Sequence, residues 1–316
     1  MKRKRILTFS LFLVMLINFS QPAQTGKQHI IKPYKLDYGF STQTILTEPF
    51  ISYIDTGKGI DTILLLHGLG SNAGFWRYNI PELAKKYRVI AVDLPGYGKS
   101  EKGNYPYSMS FFSNEIKKFV NKLNIGRFIL IGHSMGGQIA ITFALKYPNM
   151  VSKLILISPA GIEKFNKAQS NILANYLTVD AVKSLDEKGI EYNIKNNFYS
   201  WKSKFSWLIK ERTGLKRSDD FNGYAAAVTK SIKGMLAQPT SKKLKDLSVP
   251  TLIIFGTKDN LIPNKFFHNV KPADIFRNGA QQIKNCKLQP VNDAGHLVYI
   301  EKSKEVNKII LKFLND

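Results

Sequence analysis

A serine between two glycines is the clearest sign of chemistry in this chain. Ser134 stands between Gly132 and Gly136, after Phe-Ile-Leu-Ile and before an alanine-rich run that ends at Pro148. The apolar residues predict a buried strand and the alanine-rich run predicts a helix. A turn from strand to helix over so few residues strains the central backbone and requires small neighbours. This context favours an exposed nucleophile at Ser134 over an ordinary glycine-serine turn.

A histidine base is the next requirement, because a serine hydroxyl is a weak nucleophile at neutral pH. Of the five histidines, four fall in a predicted linker, in tight turns or in a helical stretch: His29, His67, His133 and His268. His296 instead follows a predicted buried strand. Asp259 follows another, and is the candidate carboxylate that orients the base. The alternatives are a helix N-cap for Asp259 and a hydrogen-bonded loop residue for His296.

Two backbone N–H groups are also needed to stabilise the charge that develops on a substrate oxygen. Met135 supplies one, because it directly follows the serine at the start of a helix. Leu69 is the candidate for the second, since glycines on both sides let its loop approach a ligand closely. The neighbouring residues Gly68 and His133 are predicted to contact the substrate.

The pattern of apolar runs predicts the elements that position these groups. Strands are predicted at 51–55, 62–66, 88–93, 128–131, 154–157, 250–255 and 286–291. Helices are predicted at 75–86, 111–123 and 298–313. Strands and helices that alternate in this way predict an α/β fold with a mostly parallel sheet covered by helices.

The alternation stops between residues 162 and 247, which are rich in lysine and aromatic residues. This segment predicts a helical cap over a core formed by 50–161 and 248–316. We expect Phe165, Trp201 and Trp207 to face a substrate pocket beneath the cap. The alternative is that these aromatic residues form only the cap's own small core.

The N-terminus has the charge and hydrophobicity pattern of an export signal. Four basic residues, 2–5, precede an apolar run at 6–19, which is short for a membrane span. Residues 1–26 therefore predict a cleaved signal peptide or an uncleaved membrane anchor, and 27–49 a linker and N-terminal extension. Either interpretation places the folded body outside the cytoplasm, as a periplasmic, extracellular or membrane-anchored protein.

Composition limits the partners. The 316-residue chain is 44% hydrophobic and 22% charged, as globular proteins are, and its formal net charge is +23. The basic residues are scattered, without the stripes and aromatic pattern of a nucleic-acid-binding protein, so we expect no nucleic-acid partner. A basic solvated surface or contact with a membrane surface explains the charge. Cys286 is the single cysteine, and no Cys/His cluster has metal-ligand spacing.

From residue 50 to 316 the chain resembles the α/β-hydrolase superfamily, of the serine-nucleophile esterase and lipase type with a cap. The order Ser134, Asp259, His296 matches that family's nucleophile, acid and base. Gly-His-Ser-Met-Gly-Gly-Gln together with Ser-Pro-Ala-Gly at 158–161 resembles the monoacylglycerol-lipase-like branch. Members with an aspartate nucleophile are haloalkane dehalogenases and epoxide hydrolases, so the resemblance disfavours those two reactions.

The expected function is hydrolysis of a carboxylic ester, such as a monoacylglycerol or another apolar lipid ester, without a cofactor. The same three residues serve C–C bond hydrolases, acyltransferases and perhydrolases, which form the alternative class. A non-catalytic binding protein with this fold is disfavoured by the complete set of candidate groups.

Overall fold

A computed structural model describes residues 35–316 and has an eight-stranded sheet at its centre. The strands are β1 (Gln43–Ile45), β2 (Ile51–Thr56), β3 (Thr62–Leu66), β4 (Arg88–Val92), β5 (Phe128–His133), β6 (Val151–Ile157), β7 (Thr251–Gly256) and β8 (Cys286–Val291). Their order across the sheet is β1-β2-β4-β3-β5-β6-β7-β8. The β1–β2 and β2–β4 pairs are antiparallel, and the five other pairs are parallel. The predicted mostly parallel sheet is confirmed.

Helices cover both faces of the sheet, which explains why β3 and β5 are buried along their whole length and are mostly apolar. One face packs on α2 (Met109–Lys122), α3 (Met135–Lys146) and α9 (Pro272–Ala280). The other face packs on α1 (Ile80–Leu83), α10 (Val298–Glu301) and α11 (Ser303–Asn315). Because β3, β5, β6, β7 and β8 run parallel, the loops that follow them meet at one edge of the sheet.

Two predicted helices are interrupted. The helix expected at 75–86 is a 3-10 turn at Ala73–Trp76 followed by the short α1, which contains Pro81 in its first turn. Proline has no N–H to donate, so it starts a new helix more easily than it continues one. The closing helix is divided at Lys302, whose φ of −118° and ψ of 42° are not helical.

The segment between β6 and β7 is helical where the cap is predicted. It forms α4 (Lys167–Tyr176), α5 (Val179–Ser184), α6 (Glu187–Lys195), α7 (Trp207–Lys216) and α8 (Phe221–Ala237). Helix α8 packs on α4 and α5, and also contacts α2 in the core. The cap boundaries at 162 and 247 remain a prediction.

The N-terminal prediction lies mostly outside the described residues, which begin at 35. Part of the predicted linker 27–49 belongs to the core, because β1 pairs with β2 and Tyr38 is 1% exposed. The Tyr38 hydroxyl donates a 2.8 Å hydrogen bond to Asp93, which fixes this extension against the sheet. From residue 35 onward, no helix has both the length and the apolar character needed to cross a bilayer.

Candidate active site

Ser134 occupies a strained turn between β5 and α3, with φ 51° and ψ −117°. A side chain at position 132 would place Cβ 2.3 Å from the carbonyl oxygen of Gly136. One at position 136 would place Cβ 2.4 Å from the carbonyl oxygen of Leu66. Both glycines are therefore required by close packing of backbone on backbone. Positive φ at a serine costs free energy, and its persistence marks a functional position.

His296 and Asp259 form a buried pair next to this turn. His296 Nδ1 lies 2.8 Å from Asp259 Oδ2, and the two side chains are 4% and 0% exposed. Asp259 Oδ1 accepts hydrogen bonds from the backbone N–H groups of Leu261 and Ile262, at 2.8 and 3.0 Å. A carboxylate held in this way fixes the imidazole with its proton on Nδ1 and leaves Nε2 free to accept a proton.

The predicted oxyanion groups belong to two different elements next to Ser134. Met135 is the first residue of α3, and Leu69 lies in the loop after β3. Among the described residues, neither backbone N–H has a hydrogen-bond acceptor. A Cβ at position 68 would lie 3.2 Å from Ser134 Cβ, so glycine there allows the loop to reach the serine. Gly68 itself lines neither of the cavities described below.

His67 braces this loop. The N–H of Leu94 donates to His67 Nε2 at 3.1 Å, so the proton of the neutral ring is on Nδ1 and is donated to the carbonyl oxygen of Gly68 at 2.8 Å. Burial lowers the pKa of His67 to about 4, which keeps the ring neutral at physiological pH. His67 therefore joins the loop after β3, which carries the predicted oxyanion residue Leu69 and is called the oxyanion loop below, to the segment after β4.

His133 contacts His296, the predicted base, and also lines the cavity at Ser134. Its Nε2 donates to the carbonyl oxygen of His296 at 3.1 Å. Its ring also packs against the His296 ring, with centroids 4.8 Å apart. Burial, together with the nearby His296, holds the pKa of His133 well below its usual range. The neutral ring fixes the backbone that carries the base.

Glu301 is a residue at the site that sequence reasoning missed. Its carboxylate accepts backbone hydrogen bonds from Gly295 at 2.8 Å, Tyr199 at 3.1 Å and Ser200 at 2.7 Å. Glu301 thus ties the loop of His296 to the cap. The sequence offers no signal for this, because an acid in the closing helical segment belongs to no motif.

We expect Glu301→Gln to lower kcat about tenfold and to reduce the melting temperature. An amide places an N–H where the carboxylate accepted one, and hydrogen bonds to charged groups contribute about 1.5–3 kcal/mol. Glu305→Gln, at an exposed position of α11, is the matched control. Thermal unfolding and steady-state kinetics give the answer. If the two variants behave alike, Glu301 does not position the loop.

A main cavity of about 610 Å³ opens at Ser134 and His296. Leu69 contributes to its floor, and cap side chains form much of its wall, including Leu177, Val182, Leu208, Arg212, Tyr224 and Ile232. Arg212 Nη2 and the Tyr224 hydroxyl both donate to the carbonyl oxygen of Gly70. The cap therefore also fastens the oxyanion loop.

Of the three predicted cap aromatics, Phe165 alone lines a cavity at Ser134, a side cavity of about 130 Å³. Trp201 and Trp207 line neither of these two cavities. Trp201 packs edge-on against Phe198, at 5.2 Å between centroids. Trp207 packs against Phe75 and donates from Nε1 to the Tyr78 hydroxyl at 3.2 Å. Their large apolar rings hold the cap together and fix it to the core.

The sheet, the strained serine turn and the helical segment above it define the class as α/β hydrolase. The family model described as alpha/beta hydrolase fold matches residues 61–303, and the chain belongs to this family. The chain is an enzyme of the hydrolase class.

Three relatives show the range of the family. A 2-hydroxy-6-oxononadienedioate/2-hydroxy-6-oxononatrienedioate hydrolase of Cupriavidus pinatubonensis is 30% identical over 85% of this chain and 92% of its own length. A probable hydrolytic enzyme of Pseudomonas aeruginosa has a structure that is 27% identical, with a TM-score of 0.78 over 90% of this chain and 98% of that chain. A thermophilic esterase of Thermogutta terrifontis is 25% identical, with a TM-score of 0.71 over 87% and 98% of the two chains.

Proposed function

We propose that this hydrolase cleaves carboxylic esters through an acyl-enzyme on Ser134. The observation that carries the proposal is that the strained Ser134, His296 of the buried His296–Asp259 pair, and Leu69, whose N–H has no acceptor among the described residues, all line one cavity. This set matches the requirements of serine acyl transfer. The exported or membrane-anchored location and the contact with a membrane surface, which the N-terminal pattern and the basic charge predict, belong to the same proposal.

The residues act in two half-reactions. His296 Nε2 takes the proton of the Ser134 hydroxyl as Oγ attacks the ester carbonyl, and the Leu69 and Met135 N–H groups stabilise the oxyanion. The C–O bond to the alcohol then breaks, and the alcohol leaves with the proton from His296. Water then attacks the acyl-enzyme, with His296 again taking the proton. The bond to Oγ breaks, the acid is released, and the proton returns to Ser134.

The main cavity supports an apolar substrate. Its volume of about 610 Å³ suits a small organic ligand, and its cap wall includes Leu177, Val182 and Leu208. Burial of each methylene contributes roughly 0.8 kcal/mol, which corresponds to about a fourfold gain in kcat/KM. An ester with an extended apolar group, such as a monoacylglycerol, would use this wall.

A series of p-nitrophenyl esters with acyl chains from two to sixteen carbons tests the proposal. We expect kcat/KM to rise about fourfold per methylene until the cavity is full, and then to level off. The series should be repeated with anionic lipid vesicles, which should favour long esters if the basic surface binds membranes. Absence of turnover across the series would contradict ester hydrolysis.

C–C bond hydrolysis is the second candidate and has equal support from the relatives. Arg212 favours it specifically, because a cationic side chain lining the main cavity suits a carboxylate-bearing substrate such as a dienedioate. A 2-hydroxy-6-oxo-dienedioate assayed by loss of its dienol absorbance separates the two. Fast loss of that absorbance with slow turnover of p-nitrophenyl esters would assign the C–C reaction.

A further inference from the structure

The side cavity has one carboxylate in a mostly apolar wall. Ser134 and His296, which line the main cavity, line the side cavity as well. Most of its wall is apolar, with Phe165, Leu173, Met235, Leu236, Pro239 and Ile262. Glu163 also lines it, and is the only carboxylate among the described lining residues.

Glu163 is held in place through a single oxygen. Oε1 accepts hydrogen bonds from the backbone N–H of Asn264 at 2.7 Å and from His268 Nδ1 at 2.5 Å. The Glu163 side chain is only 6% exposed. Oε2 accepts no hydrogen bond from any residue of the described range 35–316.

Oε2 is not among the fully buried polar atoms that lack a hydrogen-bond partner, so it remains accessible from the open space beside it, and Glu163 lines the side cavity. Burial raises the pKa of Glu163, while the hydrogen bonds from His268 and Asn264 lower it. A leucine in this wall would extend the apolar lining without a carboxylate to desolvate.

Glu163 anchors the loop that carries Asp259, but only one of its two carboxylate oxygens, Oε1, takes part in that contact. Asn264 lies five residues after Asp259, so the Oε1 contact secures that loop to the start of the cap. An amide oxygen would serve equally as this anchor. The second oxygen remains available to a group that enters the cavity.

We infer that the side cavity binds a substrate chain that carries a hydrogen-bond donor, a hydroxyl above all, which Glu163 Oε2 accepts. The inference rests on the proposed ester hydrolysis and specifies its substrate class. A volume of about 130 Å³ holds roughly four methylene-sized groups at about 30 Å³ each. The substrate would therefore be an ester with a short apolar stretch ending in a hydroxyl, on either its acyl or its alcohol side.

Matched pairs of esters test this. The acyl pair is methyl butanoate and methyl 4-hydroxybutanoate, and the alcohol pair is propyl acetate and 3-hydroxypropyl acetate, all followed by pH-stat. For the wild type we expect the hydroxylated ester of one pair to have the higher kcat/KM. Glu163→Leu should reduce that ratio about tenfold, the size expected for one hydrogen bond to a charged group. The pair that responds identifies the side of the ester.

Two further variants make the result specific. Glu163→Gln keeps a carbonyl acceptor and should retain part of the preference. Leu173→Ala, in the same wall, should slow both members of a pair equally and leave the ratio unchanged. Because the ratio compares two substrates on one enzyme, any loosening of the Asp259 loop in Glu163→Leu cancels.

The outcomes separate the two proposals. If the esters are hydrolysed but neither pair shows a preference, or the preference persists in Glu163→Leu, the role of Glu163 is refuted while ester hydrolysis stands. If no ester is turned over, the proposed function fails first.

Discussion

Ser134→Ala is expected to lower kcat by roughly a million-fold while the protein remains folded, the size of loss seen when a serine nucleophile is removed elsewhere. Oγ is the only heavy atom that the substitution removes, and alanine fits the strained turn at φ 51° no worse than serine does. Steady-state kinetics measure the loss, and circular dichroism checks the fold. The expectation holds for ester and C–C substrates alike.

A fluorophosphonate probe gives an independent readout. It should label the wild type and should not label Ser134→Ala. Ser170→Ala is a suitable control, because Ser170 lines the side cavity without a role in the proposed chemistry. If Ser134→Ala is labelled at the wild-type rate, the nucleophile is another residue.

Asp259→Asn is expected to lower kcat by as much as about ten-thousand-fold, by analogy with the serine proteases. Its amide oxygen can still accept from Leu261 and Ile262, so the loop is retained. The amide nitrogen would then donate to His296 Nδ1, which moves the imidazole proton to Nε2 and removes the acceptor that Ser134 needs. His296→Ala should cost about as much as Ser134→Ala, because the three residues act as a unit.

The matched control for this substitution is Asp293→Asn, an exposed position three residues before His296. Its backbone is in the left-handed region, with φ 49°, which asparagine tolerates well. Initial rates on a hexanoyl ester would compare the two variants. Near-full activity of Asp259→Asn would mean that another carboxylate orients His296.

The sequence by itself determined seven of the eight strands and the candidate triad, while β1 lies in the predicted linker. Buried parallel strands are read as continuous apolar runs, as in β3 and β5, because both faces of the sheet are covered. The glycines at 132 and 136 identify the turn because no other residue fits there. Asp259 and His296 each follow a strand of this sheet, and loops after parallel strands share one edge. Local patterns therefore predicted that Ser134 and His296, which are 162 positions apart, lie at the same edge of the sheet.

The interruptions in the helices were decided by tertiary structure. The apolar spacing of 75–86 continues across the break between Trp76 and Ile80, and that of 298–313 continues across Lys302. Burial of one side against the sheet requires only that the spacing be kept, so the pattern does not record the break.

Tertiary structure alone also decided which side chains reach the substrate and which support the site. Trp201 and Trp207 are residue types that are common in pocket walls, but here they pack against other aromatic residues. Glu301 accepts a hydrogen bond from cap backbone that lies about 100 residues earlier in the chain. Glu163 pairs with His268, which lies about 100 residues later. Such contacts depend on how the cap sits over the sheet. They leave no periodicity or spacing in the sequence, because the partners meet only in the folded chain.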